Sequence, residues 1–387
     1  MHPRVVPFLS TSRHGRLLSN FAVIALIWSG ITFPIGSEQA YVYAKSLWVR
    51  PDDRRLRDRI MACTTPLECK RLNSQHLKGH DRRAERSWDQ IKEHVMTTIL
   101  WAKYTGSEVA RNALLETGDR LLVEANQRDR YWGVGMTESQ VLGEVDRNTR
   151  RWVPRPDTNV LGRILMGIRR ALQNNDHGEN ILIAGDSMLR NVPCPGRTLC
   201  RPGAKFEDVI KAAELCLLPL TRILVIHAGT NDLPFLKPWD DAFRTGAGIC
   251  PKDGAQKGRP VNRIRAEIGA QLQAFLSNHP GIDVLYSNIL YRHNDTAEYK
   301  KEFHPGRISR IQASVGRVND AIRDLATVQP RLHVIQHDRF LDPRLFRKGH
   351  DNRVDLHVNN QGARQLALDI RRAVERLQDN NQPNADL

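Results

Sequence analysis

Short apolar runs punctuate the second half of the chain, and each ends abruptly in small or polar residues. Ile181-Leu182-Ile183-Ala184 runs into Gly185-Asp186-Ser187, and Ile223 to Ala228 runs into Gly229-Thr230-Asn231-Asp232. Ile282 to Ser287 and Leu332 to Gln336 are built the same way. Between these runs lie stretches with helical spacing: Phe206 to Leu217, Val261 to Asn278, Ile308 to Leu325 and Gly362 to Leu377. Continuous apolar runs bounded by turn residues read as strands buried on both faces. Their alternation with helices predicts a C-terminal α/β domain, a three-layer parallel sheet of flavodoxin-like type. In such sheets the site lies beyond the carboxyl ends of the strands. Ser187 and Asn231, each just past a strand, are therefore expected to lie close together. Gly185 gives the turn its freedom. A serine at the mouth of a helix sits beside unpaired N–H groups, a setting that suits an oxygen nucleophile. The plain alternative is a serine N-cap.

The first half is organised differently. Phe21 to Ile35 is strongly apolar and follows a basic N-terminus, like a signal or anchor. It is shorter than the ~20 apolar residues of a spanning helix. It is also interrupted by Ser29-Gly30 and Pro34, so it reads as two buried strands, Ala22–Trp28 and Ile31–Pro34. Ser37 to Lys45 reads as a helix capped by Ser37, and Asp52 to Met61 as a charged helix. Thr65-Pro66-Leu67-Glu68 starts another, with Pro in the first turn. Trp88 to Tyr104 is a long helix, Val109 to Leu115 a further one, Leu121 to Ala125 a strand and Asn159 to Leu172 a closing helix. The N-terminal domain is α+β and helix-rich. Gln173-Asn174-Asn175-Asp176-His177-Gly178-Glu179 has no apolar periodicity and marks the boundary. The expected organisation is thus a domain over 1–173, a linker at 174–179, a second domain over 180–380 and a polar tail at 381–387.

Composition changes this picture in three places. Across 387 residues, 58 Lys and Arg against 43 Asp and Glu leave a formal charge of +15. That surface suits phosphate-bearing partners, nucleotides and nucleic acid among them. The excess is spread along the chain, which weakens the case for nucleic acid. The six cysteines form no Cys-x-x-Cys pair and have no histidine at zinc-finger spacing; separately, no metal and no cofactor is expected. Cys194 and Cys200 flank a Pro-Gly turn and can bridge only in an oxidising compartment; free thiols are the default. With no convincing leader or membrane segment, the expected location is cytoplasmic, with the nucleus left open. Oligomeric state is not legible.

Several short runs then carry a resemblance. Val6-Pro7-Phe8-Leu9-Ser10, Leu18-Ser19-Asn20-Phe21, Ser37-Glu38, Lys45, Thr65-Pro66, Trp88, Ala102-Lys103-Tyr104 and Leu114-Leu115-Glu116-Thr117-Gly118-Asp119 follow one another in order. Leu122-Val123-Glu124, Asp129, Trp132-Gly133 and Asn159-x-Leu161-Gly162 complete the series. Over roughly residues 5–173 the chain resembles the NADAR (YbiA-like) N-glycosidase family. That resemblance implies hydrolysis of a ribosyl C–N bond, in phosphorylated riboflavin-pathway intermediates or in ADP-ribose attached to guanine. Such cleavage passes through an oxocarbenium-like state that a carboxylate stabilises. Glu38 is the candidate, with Asp129 as a second carboxylate. Trp88 and Trp132 suit stacking on a flat base, and Lys45 and Lys103 suit phosphates. Each also has a plain alternative: core tryptophans, a first-turn helix charge and solvated lysines. Where relatives carry a His and a Gln-like partner after the glutamate, this chain has Gln39-Ala40-Tyr41-Val42.

The second half resembles the SGNH/GDSL hydrolase superfamily over roughly residues 180–378. Gly185-Asp186-Ser187, Pro202-Gly203-Ala204, Gly229-Thr230-Asn231-Asp232 and Asp355-Leu356-His357 stand where its blocks belong. The resemblance implies Ser187 as nucleophile and His357 as its base. The N–H groups of Ser187 and Gly203, with the Asn231 side chain, would form the oxyanion hole. The superfamily's orienting Asp stands three residues before the His, where this chain has Val354, and the nearest carboxylate is Asp355. In an extended loop that shift turns the carboxylate to the other face; Asp351 is the alternative. The expected whole is a bifunctional hydrolase acting on a phosphorylated nucleotide-like substrate and on an ester. The alternative is a catalytically degenerate nucleotide- or nucleic-acid-binding protein that keeps both folds.

Overall fold

The first unit opens with strand β1 (Val5–Phe8), which pairs in parallel with β4 (Leu121–Glu124) in the register Val5↔Leu121 to Phe8↔Glu124. A computed structural model describes residues 4–12, 15–147, 152–174, 180–233, 261–290, 305–348 and 354–380. Two compact units divide the chain: Met1–Gly178 with Leu215–Pro219, and Glu179–Glu214 with Leu220–Leu387.

Between β1 and β4 the strands β2 (Leu26–Trp28) and β3 (Ile31–Phe33) form a hairpin. Positive φ at Ser29 and Gly30 makes its tight turn. These strands are shorter than the sequence implies and have one outward face: Trp28 and Phe33 are buried, but Ile27 is 66% exposed. Helix α1 (Ser37–Val49) follows, capped by Gly36 and not by Ser37, whose buried hydroxyl has no partner. At φ 93, Gly36 turns so tightly that a Cβ would lie 2.7 Å from the Ile24 carbonyl oxygen. Helix α2 (Arg54–Met61) is capped by Asp53, and α3 (Pro66–Leu72) by a reciprocal Thr65–Glu68 capping box. The long helix expected from Trp88 breaks at Gln90-Ile91 into α4 (Arg82–Asp89) and α5 (Lys92–Gly106). After α6 (Glu108–Leu115) and β4, the segment inserted before Pro156 holds a helix that its charge concealed, α7 (Glu138–Arg147). Its Val141 and Val145 cluster with Val5 and Val123 of the strands. Helix α8 (Val160–Gln173) closes the unit.

Asn159 joins α8 to β4. It sits in the left-handed region at φ 58; its Oδ1 accepts from Glu124 N–H at 2.9 Å and its Nδ2 donates to the Leu122 carbonyl at 2.9 Å. Gly162 lets the helix approach: a Cβ there would lie 2.3 Å from the Leu122 oxygen. One side chain thus fixes where β4 ends and where Glu124 stands.

The second unit holds a five-stranded parallel sheet in the order β6-β5-β7-β8-β9. Its strands are β5 (Ile181–Gly185), β6 (Arg197–Cys200), β7 (Ile223–His227), β8 (Asp283–Ser287) and β9 (Leu332–Ile335). Edge strand β6 was invisible as an apolar run because only Leu199 of its residues is fully buried. Between the strands run α9 (Phe206–Cys216), α10 (Val261–Asn278) and α11 (Pro305–Val328). A hairpin of β10 (Phe346–Lys348) and β11 (Val354–Val358) leads into the last helix, α12 (Asn360–Asn380). The strand order reverses between β5 and β7, so the crevice of the sheet opens at their carboxyl ends. The linker at 175–179, the 234–260 insertion, Lys300, Lys301, His304 and Asp351 lie outside the described residues.

Replacing Asn159 by Ala removes two buried hydrogen bonds and leaves a β-carbon at positive φ. Urea denaturation should show a loss of about 2–4 kcal/mol; a loss below about 1 kcal/mol would contradict this role.

Candidate active sites

Glu38 projects from the first turn of α1 and is only 8% exposed. Its Oε2 accepts from Asn20 Nδ2 at 2.6 Å. Burial raises its pKa to about 7, against the pull of Lys70 and the Asn20 amide. Asn20 is placed by a lysine from another helix. Lys103 of α5 is fully buried, and its Nζ donates to the carbonyls of Leu17 at 2.7 Å and Ser19 at 2.9 Å. Burial lowers its pKa to about 7. Lys103 is therefore a brace for the turn that carries Asn20, and its assignment to phosphate is corrected.

Glu124, at the end of β4, was not singled out as a site residue from sequence. It is 8% exposed, and its Oε2 is buried without a hydrogen-bond partner. Its pKa is pushed up to about 8, first by burial, then by the negative charges of Asp129 and Glu38, with Lys70 opposing. Asn20 Oδ1, beside Glu38, is a second buried acceptor without a partner. Buried polar atoms left unpaired cost free energy, so each of these positions needs its own physical account. The signal in the sequence was a glutamate closing an apolar strand, Leu122-Val123-Glu124.

The remaining candidates separate into two groups. Asp129 caps its own turn, its Oδ1 accepting from the N–H groups of Tyr131 and Trp132 at 2.9 Å each. Its charge raises the pKa of Glu124, the buried carboxylate beside it. Trp88 is 2% exposed and packs edge-on against Tyr41, to whose hydroxyl its Nε1 donates at 3.3 Å. No face of it is open to a base, and the core alternative holds. Trp132 is half-buried, edge-on to Tyr41 and Tyr131, and keeps accessible surface. Lys45 is half-buried; its Nζ donates to Asn73 Oδ1 at 3.1 Å, and burial lowers its pKa. Gln39, where relatives differ, is buried and clamps the end of α2 through the Ile60 and Met61 carbonyls.

In the second unit, Ser187 follows β5 on a single 3₁₀ turn, Ser187–Leu189, and not on an α-helix. The cap is Asp186, whose Oδ1 accepts from Met188 N–H at 2.9 Å. Asp186 is fully buried; its Oδ2 also accepts from Asn231 Nδ2 at 3.4 Å, and its N–H donates to the His227 carbonyl at 3.2 Å. Asn231 Nδ2 further donates to the Ala204 carbonyl at 2.9 Å, beside Gly203 at φ 75. Asp186 thus ties the serine turn to the amide expected in the oxyanion hole. His357 Nε2 lies 3.0 Å from Ser187 Oγ, and both residues are partly exposed. Asp355 belongs to strand β11 and not to a loop. It stands two residues before His357 in that strand, and Val354 holds the position three before.

A second serine–histidine–aspartate line shows why hydrogen bonding alone does not make a nucleophile. Ser287 Oγ lies 2.7 Å from His337 Nε2, and His337 Nδ1 lies 2.9 Å from Asp369 Oδ2. His227 Nδ1 meets the same hydroxyl at 2.7 Å. Ser287 is fully buried, so this line ties β7, β8 and α12 together and no carbonyl reaches it. Among the described residues no group of His, Cys, Asp and Glu could hold a metal ion, and no helix is long and apolar enough to cross a membrane. Cys194 and Cys200 are free thiols.

Comparison with known proteins identifies the family of the first unit. Residues 8–173 match the NADAR domain family. N-glycosidase YbiA of Escherichia coli (strain K12) is 32% identical over 137 residues, covering 35% of this chain and 78% of that protein. An N-glycosidase of Nostoc punctiforme is 28% identical over 134 residues, covering 35% and 72%. The chain belongs to the NADAR family. Among solved structures, the YbiA structure of E. coli covers 45% of this chain and 88% of its own at 27% identity and TM-score 0.33. A carbohydrate esterase of family 3 from Talaromyces cellulolyticus covers 52% and 99% at 14% identity and TM-score 0.35. A GDSL-like lipase from Bacteroides thetaiotaomicron covers 54% and 97% at 11% identity and TM-score 0.32. Superpositions at these scores carry no argument, and the second site rests on its own geometry.

The buried acids set a pH dependence of stability. Both folded pKa values, about 7 and about 8, lie above the ordinary 4.5. Their stabilising effect is therefore complete below pH 4.5 and is lost as pH rises through 7 and 8. Glu124→Gln removes one of the two penalties. It should raise stability at pH 9 relative to wild type by about 2–4 kcal/mol, with little change at pH 4.5, by denaturant titration at both pH values. An equal shift at both pH values would contradict the assignment.

Proposed function

We propose that the protein is a bifunctional hydrolase: an N-glycosidase that cleaves a ribosyl C–N bond, joined to a serine esterase-like domain. The observation that carries the first activity is Glu38, a carboxylate buried at the head of α1, fixed by Asn20 and close enough to the buried Glu124 for its charge to be felt there. Such a carboxylate stabilises positive charge developing on an anomeric carbon more strongly than a solvated one, because little water screens it. Trp132 offers a ring to the base, and Lys45 with Lys70 offers positive charge to phosphate. Lys70 Nζ stands 5.2 Å from the centre of the Phe21 ring, next to Asn20 in the chain. The E. coli and Nostoc punctiforme relatives are N-glycosidases, which supports this reading, and the substrate class we infer is a phosphorylated riboside, either ADP-ribose on a base or a riboflavin-pathway intermediate.

The second activity is supported by the 3.0 Å approach of His357 Nε2 to Ser187 Oγ at the crevice of the sheet. Ser187 attacks an ester carbonyl, His357 takes its proton and passes it to the leaving alcohol, and Asn231 with the Ser187 and Gly203 N–H groups holds the oxyanion. Asp355 orients His357 in this reading. We read this unit as a flavodoxin-like, three-layer domain, and the five-stranded parallel sheet supports that reading. The domain reading is a glycosidase unit over 1–173 and a hydrolase unit over 180–380.

Two experiments test these activities separately. On ADP-ribosylated guanine or the riboflavin intermediate, wild type should release the free base, and Glu38→Gln should lower kcat by about 10²–10⁴-fold. Equal rates for the two proteins would remove Glu38 from the chemistry. A fluorophosphonate probe should label Ser187 in the folded protein, and His357→Ala should slow labelling at least about 100-fold. Labelling of Ser187→Ala at the wild-type rate would end the esterase reading.

A further inference from the structure

We infer that Glu124 is the general acid of the glycosidase site, delivering the proton from its buried Oε2 to the nitrogen of the departing base while Glu38 faces the ribosyl carbon. This rests on the N-glycosidase reading and adds the residue that the reaction otherwise lacks. A ribosyl C–N bond breaks with its electron pair going to nitrogen, and an amine or lactam nitrogen leaves poorly as an anion. Glu38 cannot supply both functions, since the carboxylate that stabilises the cation must be ionised when the leaving nitrogen needs its proton.

The geometry singles out Glu124. It stands at the carboxyl end of β4, opposite Phe8 of β1. Its backbone is held on both sides: the N–H donates to Asn159 Oδ1 at 2.9 Å, and the carbonyl accepts from Val134 N–H at 3.0 Å. Gly133 packs against that carbonyl, where a Cβ would approach to 2.8 Å. The side chain thus leaves a fixed point of the fold. Its Oε2 is buried and unpaired, as is Asn20 Oδ1 on the residue that anchors Glu38. A ribosyl substrate satisfies both: a sugar hydroxyl donates to Asn20 Oδ1, and the base nitrogen accepts from protonated Glu124.

The step balances without a further reactant. Water forms the new C1–O bond as the C1–N bond breaks. Glu124 gives its proton to the leaving nitrogen, and Glu38 takes one from the attacking water. Exchange with solvent returns each acid to its starting state. The charges facing Glu124 are Glu38 on α1, Lys70 on α3 and Asp129 in the turn after β4. The two anions hold the proton on Glu124, and the cation opposes them. The two acids titrate as a coupled pair, both raised by burial, and the active form is the one with Glu38 ionised and Glu124 protonated.

The test compares two leaving groups on one ribosyl phosphate: the natural nitrogen base, and 4-nitrophenolate, which leaves without a proton. In wild type, kcat on the N-riboside should fall about tenfold per pH unit above about 8, while kcat on the aryl riboside stays flat there. Glu124→Gln should lose at least about 100-fold on the N-riboside, stay within about tenfold of wild type on the aryl riboside, and lose the alkaline limb. Glu124→Asp should restore that limb, and Glu38→Gln should be slow on both substrates. Equal losses by Glu124→Gln on the two substrates, or identical alkaline limbs for both in wild type, overturn the assignment of the acid. Absence of wild-type turnover on either substrate overturns the N-glycosidase reading itself and this inference with it.

Discussion

Two carboxylates, Glu38 and Glu124, are held away from water in the first unit, and much of its architecture can be read as what keeps them there. A buried carboxyl is unfavourable when ionised, so such a position persists only where the surrounding fold fixes it. Here the fixing runs through backbone. Asn159 spans β4 and α8 and sets Glu124; Lys103 spans α5 and the Leu17–Ser19 turn and sets Asn20, which in turn holds Glu38. A buried lysine, costly to place there, serves not the substrate but the turn whose Asn20 holds Glu38. Gly36 and Gly162 belong to the same device, since side chains there would collide with the carbonyls of Ile24 and Leu122.

The second unit obeys another constraint, the reversal of strand order between β5 and β7. It brings the ends of those strands together with nothing between them. Asp186 then converts a crevice into a site by bonding the serine turn and the Asn231 amide through one buried carboxylate. The contrast with Ser287 is instructive. Its bonds to His337 and His227 are as short as those of an active serine, yet it closes strand β8 and is fully covered. Access decides between the two serines, since both have a histidine within reach.

Much of this was legible in the sequence, and the failures have physical causes. The four apolar strands, the helix start at Thr65-Pro66 and the proximity of Ser187 and His357 followed from run length, turn chemistry and resemblance. Strand β6 escaped because an edge strand buries little, and α7 because its polar face dominates its composition. Lys103 and Trp88 were misread because a motif position says that a residue matters without saying whether it faces substrate or core. Glu124 was passed over as the end of a strand, while Asp129, five residues on, looked like the freer acid. Only three-dimensional burial separates a carboxylate that caps its own turn from one with an unpaired oxygen.

The claim that carries most weight is that Glu124 holds a proton at neutral pH in the folded protein. Infrared difference spectroscopy of wild type against Glu124→Gln measures it without substrate or turnover. At pH 7 the account predicts a protonated-carboxyl C=O stretch present in wild type, missing in the variant, and fading as pH is raised through about 8. A spectrum with no protonated-carboxyl difference at pH 7, or a band that disappears near the ordinary glutamate value, would contradict it.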